Sequence, residues 1–371
     1  MKLYIIAGEH SGDTLGTGLM EALGEKMPGT EFIGLGGPEM NARAPGIRDW
    51  VEEAAVVGLW EVLKKYDYFK KEFDRTLDEI KAAQPDAVVF VDYPGFNLRM
   101  AKAIRNAGIQ TKLIFFISPQ VWAWNRGRIP KMAKMLDLML CIFPFEKKLY
   151  ESYGLKTEFI GHPMVERLSA EKTNSAREEN LIAFLPGSRV REVEKLFPAC
   201  LDAARILREK LPDARFTVSA ASEKLAAKMR EMQGNEDLCE IETGSVYDLM
   251  QRATCAAVAS GTASLEAAFF GLPYCLIYKA SLFTYLAAKS MMKVNHLGMA
   301  NILAGEEVVK ELLQFDCTGE MIANEVLSLY QNASARESLS NRLTEVTGSL
   351  GAGDSHALAA KAIADLFGNP S

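Results

Sequence analysis

Short strand-like runs, most of them continuously apolar, recur along this chain, and segments of helical spacing lie between most of them. In the first half they are Leu3–Ala7, Glu31–Gly34, Ala87–Val91, Lys112–Ile117, Leu138–Phe143 and Thr157–Ile160. In the second half they are Leu181–Leu185, Arg215–Ser219, Ala256–Ala259 and Cys275–Tyr278. A strand that is apolar on both faces must be covered on both faces. Alternation with helices such as Asn97–Asn106 and Val193–Lys210 then predicts α/β architecture with parallel sheets. At 371 residues the chain exceeds one compact core. The polar stretch Glu171–Asn180 has no apolar face and marks a boundary. The expectation is two Rossmann-like doubly wound domains, 1–170 and 171–334, with ligands beyond the carboxyl ends of the strands and a cleft between the domains.

Composition narrows the function. The 42 basic and 48 acidic residues leave a net charge of −6, against a nucleic-acid protein that works by bulk charge. Six scattered cysteines without a Cys-x-x-Cys pair read as reduced, buried thiols of a cytosolic protein. Leu3–Ala7 reads as a first strand rather than a secretion signal, because Gly8-Glu9-His10 interrupts it. No apolar run approaches the ~18 residues of a spanning helix, so the chain is expected to be soluble or attached to a membrane surface.

The strand ends carry the chemistry. Ser260-Gly261-Thr262 follows an apolar run and opens a helix that stops at Gly271-Leu272-Pro273. Such a turn offers amides and a positive dipole end to an anion, or is a plain helix cap. Glu266, one turn on, suits the hydroxyls of a ribose. Pro186-Gly187-Ser188-Arg189 ends another strand, and Arg189 brings a permanently charged fork. Paired on one sheet, the two elements favour a diphosphate site. In the first half, Gly8-Glu9-His10-Ser11-Gly12-Asp13 lacks both the Walker and the dinucleotide spacing, and Glu9, Ser11 and Asp13 make it a candidate acceptor wall. Asp92 at the tip of Ala87–Val91 is either a general base or the cap of the following turn. Trp122, Trp124 and Arg126 form a candidate wall for an amphipathic ligand, with one tryptophan free to be core.

The stripe Leu59–Phe73 has helical spacing with lysines interleaved. It packs on its own core or lies in a membrane interface through Trp60, Leu63, Lys64, Phe69 and Lys70. Lys279–Met299 is a second stretch of that kind. The four histidines are far apart and Asp-x-Asp is absent, so neither metal nor cofactor is expected. A leaving diphosphate would then depend on helix dipole and arginine.

In order along the chain, Ala7–Asp13, Gly34–Met40, Asp92–Asn97, Ser118–Trp124, Gly161-His162-Pro163, Leu185–Arg189, Ser260–Glu266, Asn301–Gly305 and Glu311–Gln314 resemble the lipid A disaccharide synthase family over nearly the whole length. The resemblance implies the two-domain GT-B fold, an acceptor domain followed by a UDP-sugar domain, and residues 335–371 packing back on the first. It implies inverting, metal-independent transfer of 2,3-diacylglucosamine from UDP to the 6-hydroxyl of 2,3-diacylglucosamine 1-phosphate. Asp92 would be the base, since Gly95 stands where many relatives carry a second acid. Gly187, Ser188, Arg189, Ser260, Gly261, Thr262, Glu266, Asn301 and Gln314 would bind the donor, and Glu9, Ser11, Asp13, Trp122 and Arg126 the acceptor. The family also implies peripheral attachment to the cytoplasmic face of the inner membrane, and leaves homodimerisation open. Another UDP-sugar enzyme on the same scaffold, such as a UDP-N-acetylglucosamine epimerase or transferase, and a nucleotide-binding module that docks on membranes are the alternatives.

Overall fold

The computed structural model describes residues 1–54, 66–173, 176–281, 285 and 292–368. All ten apolar runs are strands, and three further strands of three residues each join them: β3 (Ile47–Asp49), β10 (Glu240–Glu242) and β13 (Glu311–Leu313). The chain divides into two compact units, 1–163 with 351–371, and 164–350. The expected boundaries at 170 and 335 therefore shift. The helix Ala333–Gly348 packs within the second unit, and the helix Ser355–Leu366 belongs to the first, against the helix His10–Lys26.

The first unit holds β1 (Lys2–Ala7), β2 (Glu31–Gly36), β3, β4 (Ala87–Val91), β5 (Lys112–Phe116), β6 (Leu138–Cys141) and β7 (Thr157–Phe159) in the order β3-β2-β1-β4-β5-β6-β7. The second holds β8 (Glu178–Leu185), β9 (Arg215–Ser219), β10, β11 (Ala253–Ala259), β12 (Tyr274–Tyr278) and β13 in the order β10-β9-β8-β11-β12-β13. Every described pairing is parallel. Each sheet thus reverses its winding direction once, between β1 and β4 in the first unit and between β8 and β11 in the second. That is where a doubly wound sheet accepts a ligand.

Burial explains the unbroken apolar runs. Leu3, Ile5, Ile6, Val88, Val89, Phe90 and Val91 are fully buried, as are Ile182, Phe184, Cys255 and Val258. The helix Val190–Lys210 buries Val193, Leu196, Phe197, Cys200, Ala204 and Leu207, one face at three- and four-residue spacing. All six cysteines are free and buried. Of the aromatic stripe, Trp60, Leu63 and Lys64 lie outside the described residues. Phe69 turns an edge toward the buried Trp50 at 6.4 Å, and Phe73 toward Phe96 at 5.5 Å. Phe69 is thus half-buried on the core of its own unit, as the packing alternative expects of it; Lys70 is exposed. Among the described residues no helix is long and apolar enough to cross a membrane.

Close packing of β1 and β2 constrains Gly34. Its φ is +133°, and a Cβ there would stand 2.1 Å from the Ile5 carbonyl oxygen. Gly34→Ala is expected to cost about 2–4 kcal/mol from lost register and backbone strain, read as a lower urea midpoint with an unchanged m-value.

Candidate functional site

In the second unit β8 and β11 run side by side with Leu185 level with Val258. Their following turns, Pro186–Arg189 and Ser260–Thr262, therefore emerge together and line a pocket of about 530 Å³. Seven of the nine donor-side residues meet there: Gly187, Ser188, Arg189, Ser260, Gly261, Thr262 and Glu266. Gly187 and Gly261 have φ of +111° and +146°, conformations that exclude most side chains. Gly261 caps the helix Thr262–Phe269, and among the described residues no side chain accepts from that helix's first amides. Arg189 caps the helix Val190–Lys210. Its guanidinium is largely exposed and donates to Glu192 Oε1 at 2.9 Å, while the Ser188 and Arg189 amides donate to Glu192 Oε2 at 3.2 and 3.3 Å.

Glu266 is 7% exposed at the pocket wall. Its Oε1 accepts from Arg167 Nη2 at 2.6 Å and from the Tyr247 hydroxyl at 3.2 Å, and among the described residues Oε2 takes no hydrogen bond. Arg167, Glu192, Ser219, Thr243 and Val246 also line the pocket without having been singled out. Ser219 and Thr243 had a usable signal, being the residues where β9 ends and β10 has just ended. Arg167 had none, since its partner is 99 positions away.

Asn301 and Gln314 are not brought to this pocket. Asn301 is fully buried, with Nδ2 donating to the Val309 carbonyl and Glu311 Oε1, both at 2.9 Å, and Oδ1 accepting from the Val308 and Val309 amides. Gln314 exchanges two hydrogen bonds with the Ala280 backbone. Both amides are consumed in holding loops, which corrects their assignment as donor contacts.

In the first unit Ala7 is level with Val91, so Gly8 and Asp92 leave the sheet as neighbours. Asp92 and Tyr93 are both left-handed, with φ of 45° and 47°. The Asn97 side chain holds them there by donating to the Asp92 carbonyl at 2.7 Å. Burial, and next the Glu9 carboxylate, push the Asp92 carboxyl up to about 6, against the Tyr93 amide that pulls it down. Glu9 and Ser11 are exposed at the same end of the sheet.

Two acceptor-side assignments are corrected. Asp13 is 2% exposed and accepts from the Gly37, Glu39 and Met40 amides at 2.8–3.0 Å, so it fastens the start of the helix Pro38–Arg43. Trp122 is buried and donates its Nε1–H to Glu146 at 2.7 Å. Trp124, two residues on, is exposed, with the Arg128 guanidinium 4.9 Å over its ring. Arg126 is exposed and donates to the Trp122 carbonyl. Glu146 ties this loop down by accepting also from the Ser118 hydroxyl and the Phe143 amide. Among the described residues no group of three or more His, Cys, Asp or Glu is placed to hold a metal ion.

Two 3-2-1-4-type parallel sheets with a pocket at the switch point of the second define the class: α/β enzymes of GT-B type, which includes glycosyltransferases and UDP-N-acetylglucosamine 2-epimerases. Solved structures agree. The calicheamicin glycosyltransferase superposes with a TM-score of 0.57 at 13% identity, covering 99% of this chain and 98% of its own. The UDP-GlcNAc 2-epimerase from Neisseria meningitidis, bound to UDP-GlcNAc, does so with a TM-score of 0.62 at 10% identity, covering 98% and 100%. At such identities only the fold is shared. Sequence decides the rest: the family model described as lipid-A-disaccharide synthetase matches residues 3–363. A lipid-A-disaccharide synthase of Trichlorobacter lovleyi is 38% identical over 95% of this chain and 94% of its own length. The chain belongs to the lipid-A-disaccharide synthase family and is a glycosyltransferase of lipid A biosynthesis.

Burial pushes the Glu146 carboxyl up to about 7 from its ordinary 4.5, against the hydrogen bonds it accepts. The folded protein then binds this proton more tightly than the unfolded chain. The resulting stabilisation is full below pH 4.5 and lost as pH rises through 7. Glu146→Gln lacks that dependence, so its destabilisation should be larger at pH 5 than at pH 8, by on the order of 2 kcal/mol. Urea titrations of both proteins at the two pH values measure the difference; equal deficits would refute it.

Proposed function

We propose that this enzyme transfers 2,3-diacylglucosamine from UDP to the 6-hydroxyl of 2,3-diacylglucosamine 1-phosphate, yielding the β-1,6 disaccharide 1-phosphate and UDP. The observation that carries the donor half is the meeting of seven residues, separately singled out along the sequence, at the β8–β11 switch point. The Gly187–Arg189 turn and the amides of Gly261–Ala263 take the diphosphate, as two helix starts and a guanidinium suit an anion. Glu266 accepts from the ribose hydroxyls through Oε2. Ala220, Ala221 and Val246 offer an apolar wall for the uracil ring.

Asp92 is the base, with Glu9, Ser11 and Arg126 on the acceptor side. A carboxyl raised to about 6 is ionised at neutral pH yet more basic than an ordinary aspartate. The acceptor O6 bonds to the anomeric carbon as its proton passes to Asp92. The bond from that carbon to the diphosphate oxygen breaks, and the electron pair leaves with UDP. One displacement converts the α-linked donor to a β product. Both substrates carry acyl chains, so the enzyme works as a peripheral protein on the cytoplasmic face of the inner membrane. Exposed Lys70, with Trp60, Leu63 and Lys64 beside it in sequence, is the candidate contact.

Release of UDP from UDP-diacylglucosamine in the presence of the acylated acceptor is the direct assay. Release without the acceptor, or equal release from deacylated UDP-glucosamine, would overturn the assignment. Asp92→Asn should lower kcat by about 10²–10⁴-fold while the Kd for UDP stays within about twofold. The base must be ionised, so kcat/KM should fall as pH drops below about 6. That acid limb should vanish from the residual activity of the variant.

A further inference from the structure

The helix Val190–Lys210 starts at the pocket assigned to the diphosphate, and its anion position is taken by a side chain of the helix itself. Glu192 folds back so that Oε2 receives the Ser188 and Arg189 amides at 3.2 and 3.3 Å, and Oε1 receives Arg189 Nη1 at 2.9 Å. Gly187 makes room for this, since a Cβ there would lie 2.6 Å from Glu192 Oε2. These are donors that a diphosphate in the pocket needs. Carboxylate and phosphate oxygens are both acceptor-only anions, and the same N–H groups cannot serve both at close range. The Glu192–Arg189 pair is also loosely held. Its side chains are 36% and 77% exposed, and pairs that open to solvent separate at little cost.

We infer that Glu192 is an internal stand-in for the donor diphosphate, a positioning residue displaced when UDP-sugar binds and restored when UDP leaves. This rests on the pocket being the UDP site. In the free protein Glu192 keeps the Gly187–Arg189 turn and the helix start formed. Whatever it stabilises there is subtracted from diphosphate affinity, because only the difference between the two states shows in binding. The device thereby favours product release, a step that a tightly cradled diphosphate would otherwise slow.

The test is calorimetric titration of UDP and of uridine into wild type and Glu192→Gln, with melting temperatures measured without and with saturating UDP. UDP should bind the variant about five- to tenfold tighter, the scale of losing a competing hydrogen-bonded charge, and uridine, which has no diphosphate, should bind both equally. The free variant should melt lower than wild type, and the UDP-saturated variant should melt level with it. A carboxylate that merely repelled the ligand through space would leave the free protein's melting temperature unchanged. That result overturns the inference, as do unchanged or weaker UDP binding and a uridine affinity that moves in step with UDP. Glu192→Asp, one methylene short of the amides, repeats the test should the glutamine variant not fold. If wild type fails to bind UDP, the donor-site reading falls and the inference with it. UDP binding by wild type with no gain in either variant removes the inference alone.

Discussion

Parallel pairing of two strands at each reversal of winding is the constraint on which the rest of this structure depends. Pairing β8 to β11 with Leu185 level with Val258 brings the ends of both strands out together. Turns far apart in sequence then share one pocket, and the Arg167–Glu266 pair fastens its wall from 99 positions away. The same device in the first unit sets Gly8 beside Asp92 through the β1–β4 register. A one-residue slip in either pair would turn every side chain of the strand to the other face. The fully buried cores on both sides of the sheets forbid that slip, and so the cores fix the sites.

The anion site proposed for this pocket rests on backbone as much as on side chain. Glycines at 187 and 261 hold positive φ that side chains rarely adopt, and two helices begin at the same place. Backbone donors cost no side-chain entropy to order, so they are preorganised for charge that grows on a leaving group. Arg189 is the exposed part. Its exposed guanidinium rests on Glu192 and has only a short, weakly opposed step to a ligand oxygen.

Most of the fold was legible because strands buried on both faces are largely apolar, and all ten strand-like runs are strands. The three that escaped notice are three-residue edge or near-edge strands such as Glu240–Glu242, where half-exposure removes the apolar signature. The pocket of the second unit was legible for a related reason: turns at the switch point of a doubly wound sheet directly follow strands, so Gly187–Arg189 and Ser260–Thr262 could be found by position. Asp13, Trp122, Asn301 and Gln314 could not be separated from true site residues, because what consumes each lies elsewhere in the chain. Asp13 is claimed by the Gly37 turn, Trp122 by Glu146 and Gln314 by Ala280. A polar residue at a strand tip looks the same locally whether it faces a ligand or a loop amide. Likewise nothing in the spacing distinguished buried Trp122 from exposed Trp124.

Two raised carboxyls in the first unit show why burial alone does not make a base. Glu146 is the more deeply buried, yet both its oxygens receive donors: the Trp122 indole on one, the Ser118 hydroxyl and Phe143 amide on the other. Both oxygens are committed to holding the Ser118–Trp124 loop. Asp92 has the opposite balance. The Tyr93 amide favours its charge, while burial and Glu9 oppose it. It also sits on a left-handed backbone that a non-glycine residue adopts at a cost of about 1–3 kcal/mol, held by Asn97 from a buried position. An acid capping the next helix would have no need of that geometry, and Tyr93, not Asp92, is the residue at the cap. A carboxylate short of donors, strained at a strand tip and next to a second carboxylate is poised to gain a proton. That is the property the transfer requires of its base, and it makes Asp92 the better candidate than the fully buried Glu146.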